Sequence, residues 1–169
     1  RFEFLVAAAV IAAHANSRAQ GFRQREVRFL IELFSNWVSA SLEGEVLELK
    51  NTQILRYLEG LATEAFARRT VRQRWPVYRL TRIGLIELLS RLVNPPAAIP
   101  PAQFFFVYYF VTNYRPRISE LIREEGKQFP PALRIEVDSL LDSDALLARQ
   151  LEILNRELQK LEEKSNDST

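Results

Sequence analysis

Hydrophobic positions recur three and four residues apart along much of the chain, the pattern of helices that bury one stripe. Residues 4–15, FLVAAAVIAAHA, differ: they are apolar all round, which predicts a first helix buried on every side. From 23 to 41 a helical stripe runs through Val27, Leu30, Ile31, Phe34 and Val38. Gly44 breaks it, and Val46, Leu47 and Leu49 read as a short extended piece. Asn51 and Thr52 are N-cap residue types for a helix carrying Ile54, Leu55, Leu58 and Leu61. Then the helical pattern stops. FARRTV and PVYRLT, on either side of RQRWP, predict a β-hairpin. Thr81 caps the next helix, which carries Ile83, Ile86, Leu88, Leu89 and Leu92 and runs to Val93.

Four prolines in NPPAAIPPA, residues 94–102, mark a linker or corner. Beyond it an aromatic helix is predicted over 102–114, a polar helix around 116–127, and another opening in FPPALRIEVDSLL. Asp142 or Ser143 starts the last helix. There Leu147, Leu151, Leu154, Leu158 and Leu161 alternate four and three apart, an a/d seam of about two and a half heptads. The seam has to meet either a partner subunit or its own domain, and a partner subunit is the stronger reading.

Charge changes this picture. The net charge is only +2, yet residues 1–98 hold 14 Lys and Arg against 9 acids, while residues 99–169 hold 9 against 12. The basic half uses arginine 13 times and lysine once. Arginine grips phosphates and guanine edges in a bidentate way that lysine does not. RRTVRQRWPVYRLTRIG, residues 68–84, concentrates Arg68, Arg69, Arg72, Arg74, Arg79 and Arg82 without one acid between Glu64 and Glu87. Like charges repel, so this clustering points to a polyanion outside the chain.

The order helix, helix, polar helix, basic hairpin, helix outlines a winged helix-turn-helix. QILRYLEGLATEAF, followed by RRTVRQRWPVYRLTRIGLIELL, resembles the reading helix, wing and following helix of bacterial regulators of the PadR and MarR kind. VYRLTRIG, residues 77–84, is similar to that family's Tyr-x-Leu-Thr-x-x-Gly at the end of the wing. The family has glycine after the reading helix where this chain has Ala65, and this chain carries Gly60 within the helix. The resemblance implies a dimer held by C-terminal helices.

The expected fold is therefore mainly α: a winged-helix domain over residues 1–96 with a small β-hairpin wing, then a helical dimerisation region over 97–169. The expected function is sequence-specific binding of double-stranded DNA by a homodimeric transcriptional regulator. Asn51, Thr52, Gln53, Arg56 and Tyr57 would face bases, and the six wing arginines would grip phosphates. The alternative is a protein–protein interaction module on the same scaffold with little or no DNA binding, since Glu59 and Glu64 offset Arg56. The aromatic run Phe104, Phe105, Phe106, Tyr108, Tyr109, Phe110 with Tyr114 fits packing between regions or across a dimer. A pocket for an unknown small-molecule effector is its second reading, and base stacking is disfavoured in an acidic half.

Enzyme signals are thin. His14 is the one histidine and lies in the apolar first helix, so it reads as a packed side chain. No cysteine and no second histidine exists to complete a zinc site. The five glycines (Gly21, Gly44, Gly60, Gly84, Gly126) build no phosphate loop. Glu48-Leu49-Lys50 matches the Glu-x-Lys half of a nuclease metal site, but the first aspartate is Asp138, so the upstream acid would have to be a glutamate such as Glu26 or Glu32. No catalytic residue, metal or cofactor is assigned. FFFVYYFV is too short to span a bilayer. Residues 4–15 end in Ala-x-Ala like a signal peptide, yet Glu3 stands where positive charge belongs. The chain is read as cytoplasmic, without membrane contact.

Overall fold

The computed structural model describes residues 3–39, 50–93 and 101–167. Among the described residues the architecture is mainly α, with seven helices and one two-stranded antiparallel hairpin. Helices α1 (Glu3–Ser17), α2 (Gln24–Ser39) and α3 (Asn51–Thr63) precede the hairpin of β1 (Ala67–Arg72) and β2 (Trp75–Leu80). Then come α4 (Arg82–Val93), α5 (Pro101–Glu125), α6 (Pro131–Leu141) and α7 (Ser143–Asp167). The Gly44 break and the extended piece at Val46–Leu49 fall outside the described residues, as do the side chains of Phe34, Val38 and Phe104–Phe106.

Helix α1 is the hub, as its all-round apolar sequence predicts. Residues 5–13 and Ala15 are all buried, and α2, α4 and α5 pack around it. Its many alanines let these neighbours approach closely. One continuous core joins Ile54, Leu58 and Leu61 of α3, Leu85, Leu88, Leu89 and Leu92 of α4, and Ile118, Leu121 and Ile122 of α5. Among the described residues no helix is long and apolar enough to cross a membrane.

The separate aromatic and polar helices predicted either side of residue 115 are one helix. α5 runs straight through Pro116, although an interior proline removes a hydrogen bond and costs about 3 kcal/mol. Packing overrides that cost. Phe110, Val111 and Tyr114 before the proline, and Ile118, Leu121 and Ile122 after it, form one buried stripe that is lined up only if the helix continues. Pro116 itself faces solvent. Phe110 and Tyr114 stack at 5.5 Å, so at least this part of the aromatic run packs within the chain.

The hairpin is fastened at both ends. Gly21, with φ +78°, turns the chain so that Phe22 lies beside β2, where Phe22 and Tyr78 exchange two backbone hydrogen bonds of 2.8 Å. A Cβ on Gly21 would sit 2.5 Å from Val77 Cγ1 and 3.0 Å from the Tyr78 carbonyl oxygen. At the other end Thr81 caps α4 as predicted: its Oγ1 accepts the Gly84 N–H at 3.0 Å and donates to the Ala65 carbonyl at 2.8 Å. Its own N–H donates to the Phe66 carbonyl at 3.0 Å. Gly84 lies so close that a Cβ there would overlap that carbonyl. The sequence LTRIG is thus a clamp that closes the hairpin onto α4.

Candidate nucleic-acid interface

The hairpin register sorts the six arginines. In an antiparallel pair, residues directly opposite point to the same face. Arg68 opposes Arg79, Thr70 opposes Val77 and Arg72 opposes Trp75, so Arg68, Arg72 and Arg79 share one face. Placing Arg68 against Arg79 sets like charges side by side, which costs stability. The turn between the strands is only Gln73 and Arg74, both left-handed with φ 51° and 70°. Such a turn matches the twist of a hairpin but suits Asn-Gly far better than Gln-Arg. Arg74 is thereby carried to the tip.

The opposite face turns toward α3 at its base. Arg69 opposes Tyr78 there, and both converge on Glu59 of α3. Arg69 Nε donates to Glu59 Oε1 at 3.0 Å, and the Tyr78 hydroxyl donates to the same oxygen at 2.6 Å. The Tyr78 hydrogen bond, reinforced by Arg69, holds the Glu59 carboxyl below its usual range. Burial and the same carboxylate push the Tyr78 hydroxyl up to about 12. Arg82 is also committed, with its Nε 2.6 Å from Glu125 Oε2 at the end of α5. Arg68, Arg72, Arg74 and Arg79 form no ion pair among the described residues. The cluster thus divides into four available cations and two structural ones. Its base opens into a polar cleft of about 360 Å³ lined by Arg68, Arg79, Thr81, Arg82 and Glu125.

Helix α3 buries Ile54, Leu58 and Leu61 and turns Asn51, Thr52, Gln53 and Arg56 to solvent. Asn51 and Thr52 sit in its first turn rather than before it. The start is closed by Gln53, whose Oε1 accepts the Lys50 N–H at 2.9 Å. Gln24 of α2 donates to the Asn51 carbonyl at 2.7 Å and so fixes the start of α2 beside the start of α3. Tyr57 is half-buried and leans the other way: its hydroxyl accepts Arg91 Nη1 of α4 at 3.1 Å. After α3, Ala65 is left-handed with φ 63°, the conformation that favours glycine at this position. Arg23 and Arg25, which the sequence reading did not single out, stand at the start of α2 and also form no ion pair among the described residues. Their one signal was the pair itself, in FRQRE.

His14 is packed, as its setting predicted. Its Nδ1 accepts the Leu80 N–H of β2 at 3.4 Å. Burial, with Arg79 and Arg18 nearby, lowers its pKa to about 4. The two glutamates considered for metal chemistry are engaged elsewhere: Glu26 accepts the Arg23 backbone N–H at 2.7 Å, and Glu32 pairs with Arg28 at 2.9 Å.

α7 packs against α5 and α6 chiefly by its beginning. Asp142 caps it through Oδ1, and Leu146 and Gln150 are buried against the body. The seam leucines Leu147, Leu151, Leu154, Leu158 and Leu161 are between 38% and 63% exposed, so none of them is buried. No protein-family model, curated protein or solved structure matches this chain.

Proposed function

We propose that the protein is a winged-helix regulator of the PadR and MarR kind that binds double-stranded DNA in a sequence-specific way as a homodimer. The observation that carries this is the hairpin face bearing Arg68, Arg72 and Arg79, with Arg74 at its tip, none of them in an ion pair among the described residues. α3 enters the major groove with Thr52, Gln53 and Arg56 toward base edges, and Asn51 at the groove's rim. The hairpin follows the backbone, where each phosphate neutralised releases counterions. Tyr57 and Arg69 act inside the protein and steady α3 and the hairpin. The leucine seam of α7 pairs with its copy, which places two α3 helices on a pseudo-palindromic site and blocks or assists polymerase there.

Fluorescence anisotropy with a duplex of mixed sequence tests this reading. Affinity should fall steeply as salt rises, by about 0.9 log units per log unit of salt for each phosphate contacted. Absence of binding to any duplex at low salt would refute it.

A further inference from the structure

DNA binding by α3 and the arginines leaves one prominent side chain of the hairpin unused. Trp75 opens β2 directly opposite Arg72 and is 61% exposed. A single exposed side chain is ordinary, but Trp75 adjoins further apolar surface from Leu55 and Pro76, and a joined apolar patch is the kind that binds. Trp75 forms one wall of a cleft of about 150 Å³ between the start of α2, α3 and the hairpin. Leu55, Pro76 and Tyr78 give this cleft apolar surface, while Arg23, Gln24 and Arg25 give it a polar rim. Among the described residues no carboxylate lines it. An adjoining cleft sets Arg72 beside the same Arg23 and Arg25, and its single acid, Glu26, is occupied with the Arg23 backbone N–H.

Apolar walls bordered by arginines complement a strand in which apolar rings alternate with anions. We infer that one sugar-phosphate strand of the DNA duplex crosses this cleft, with the Trp75 indole packed on a deoxyribose and Arg23, Arg25 and Arg72 on the flanking phosphates. The inference rests on the proposed DNA binding. Position supports it. The Gln24–Asn51 hydrogen bond holds the cleft against the first turn of α3, the turn that would enter the groove. Between a helix in the groove and a hairpin on the backbone, a strand has to pass. A sugar contact also carries no sequence information, so its removal should be felt equally on every site.

Titration of the full chain with short duplexes, following tryptophan emission and anisotropy together, tests the inference. Duplex should quench emission in the wild type, and Trp75→Phe should abolish that change. Trp75→Ala should weaken binding about tenfold on matched and unmatched sequences alike. It should leave the salt slope intact. Arg23→Ala combined with Arg25→Ala should instead lower the slope by about 0.9 for each phosphate no longer neutralised. Trp75 is exposed, so its variants keep the fold, and circular dichroism checks that they do. If the wild type binds duplex but Trp75→Ala binds as tightly, the inference is wrong and the cleft serves another occupant, such as an acidic protein surface. If Trp75→Ala changes preference among sequences, the contact is to a base, which also overturns the inference. If the wild type binds no duplex at all, the DNA reading fails first and this one with it.

Discussion

The hairpin and the outer part of α7 are both left incomplete by folding, in opposite ways. The hairpin holds a surplus of charge: four arginines with no ion pair among the described residues. The outer part of α7 holds a surplus of apolar surface, a leucine seam that stays partly exposed along its whole length. Each surplus costs the isolated molecule something and suits a different partner. Charge without counter-charge is relieved by a polyanion, and an apolar stripe by another apolar stripe. The two regions therefore call for different complements, one of opposite charge and one of apolar surface.

The sharpest way to break this contrast is at the seam. Leu154→Glu places a charge at its centre, and each buried leucine is worth about 1.5–3 kcal/mol, doubled in a symmetric pair. The variant should be a monomer by light scattering, and DNA affinity should collapse although every DNA-facing residue remains. A wild type already monomeric at tens of micromolar would remove the assembly role altogether.

Next in size is the tie between α1 and the hairpin. The folded state holds His14 at about 4, below its unfolded value of 6.5, so the unfolded chain takes up the proton first as pH falls. Stability is complete above 6.5 and drains away toward pH 4, by about 3 kcal/mol in all. Denaturant midpoints should follow that curve in the wild type. In His14→Asn, which keeps an acceptor for the Leu80 N–H, this component should vanish; an unchanged curve would assign the acid sensitivity to other groups.

A smaller effect separates available from committed arginines. Arg72→Ala with Arg74→Ala should lower the salt slope by about 1.8 log units. Arg69→Ala should leave the slope where it was and instead loosen the Glu59–Tyr78 contact. Equal slopes in both variants would erase the distinction between the hairpin's two faces. Smallest is Ala65→Gly. Relief of the left-handed alanine should raise stability by about 0.5–1 kcal/mol, seen as a shift in thermal midpoint. No gain would mean that the turn is held by its neighbours.

The sequence reached the elements more readily than their commitments. Periodicity located α1, α3, α4, α7 and the hairpin because each signal is local: an apolar repeat, a cap, a change of period. α5 was misread as two helices because the rule about Pro116 is local, whereas the stripe that overrides it takes its meaning from α1 and α2. Arg69 and Arg82 looked identical to Arg72 in a run of like charges. Their partners Glu59 and Glu125 are chosen by the fold, one across the α3 turn and one at the far end of α5. Arg23, Arg25 and Trp75 gain meaning only when α2, α3 and the hairpin meet, which no short stretch of sequence displays.

The left-handed turn at Gln73 and Arg74 has a further consequence for how this protein can change. Heat-resistant variants would most simply carry asparagine or glycine at these two positions, since those residues adopt the turn at little cost. Each such gain at position 74 removes the outermost positive charge of the hairpin. If the hairpin binds DNA as proposed, robustness and binding therefore pull this tip in opposite directions, and a lineage adapting to higher temperature would have to rebuild its charge elsewhere on the same face.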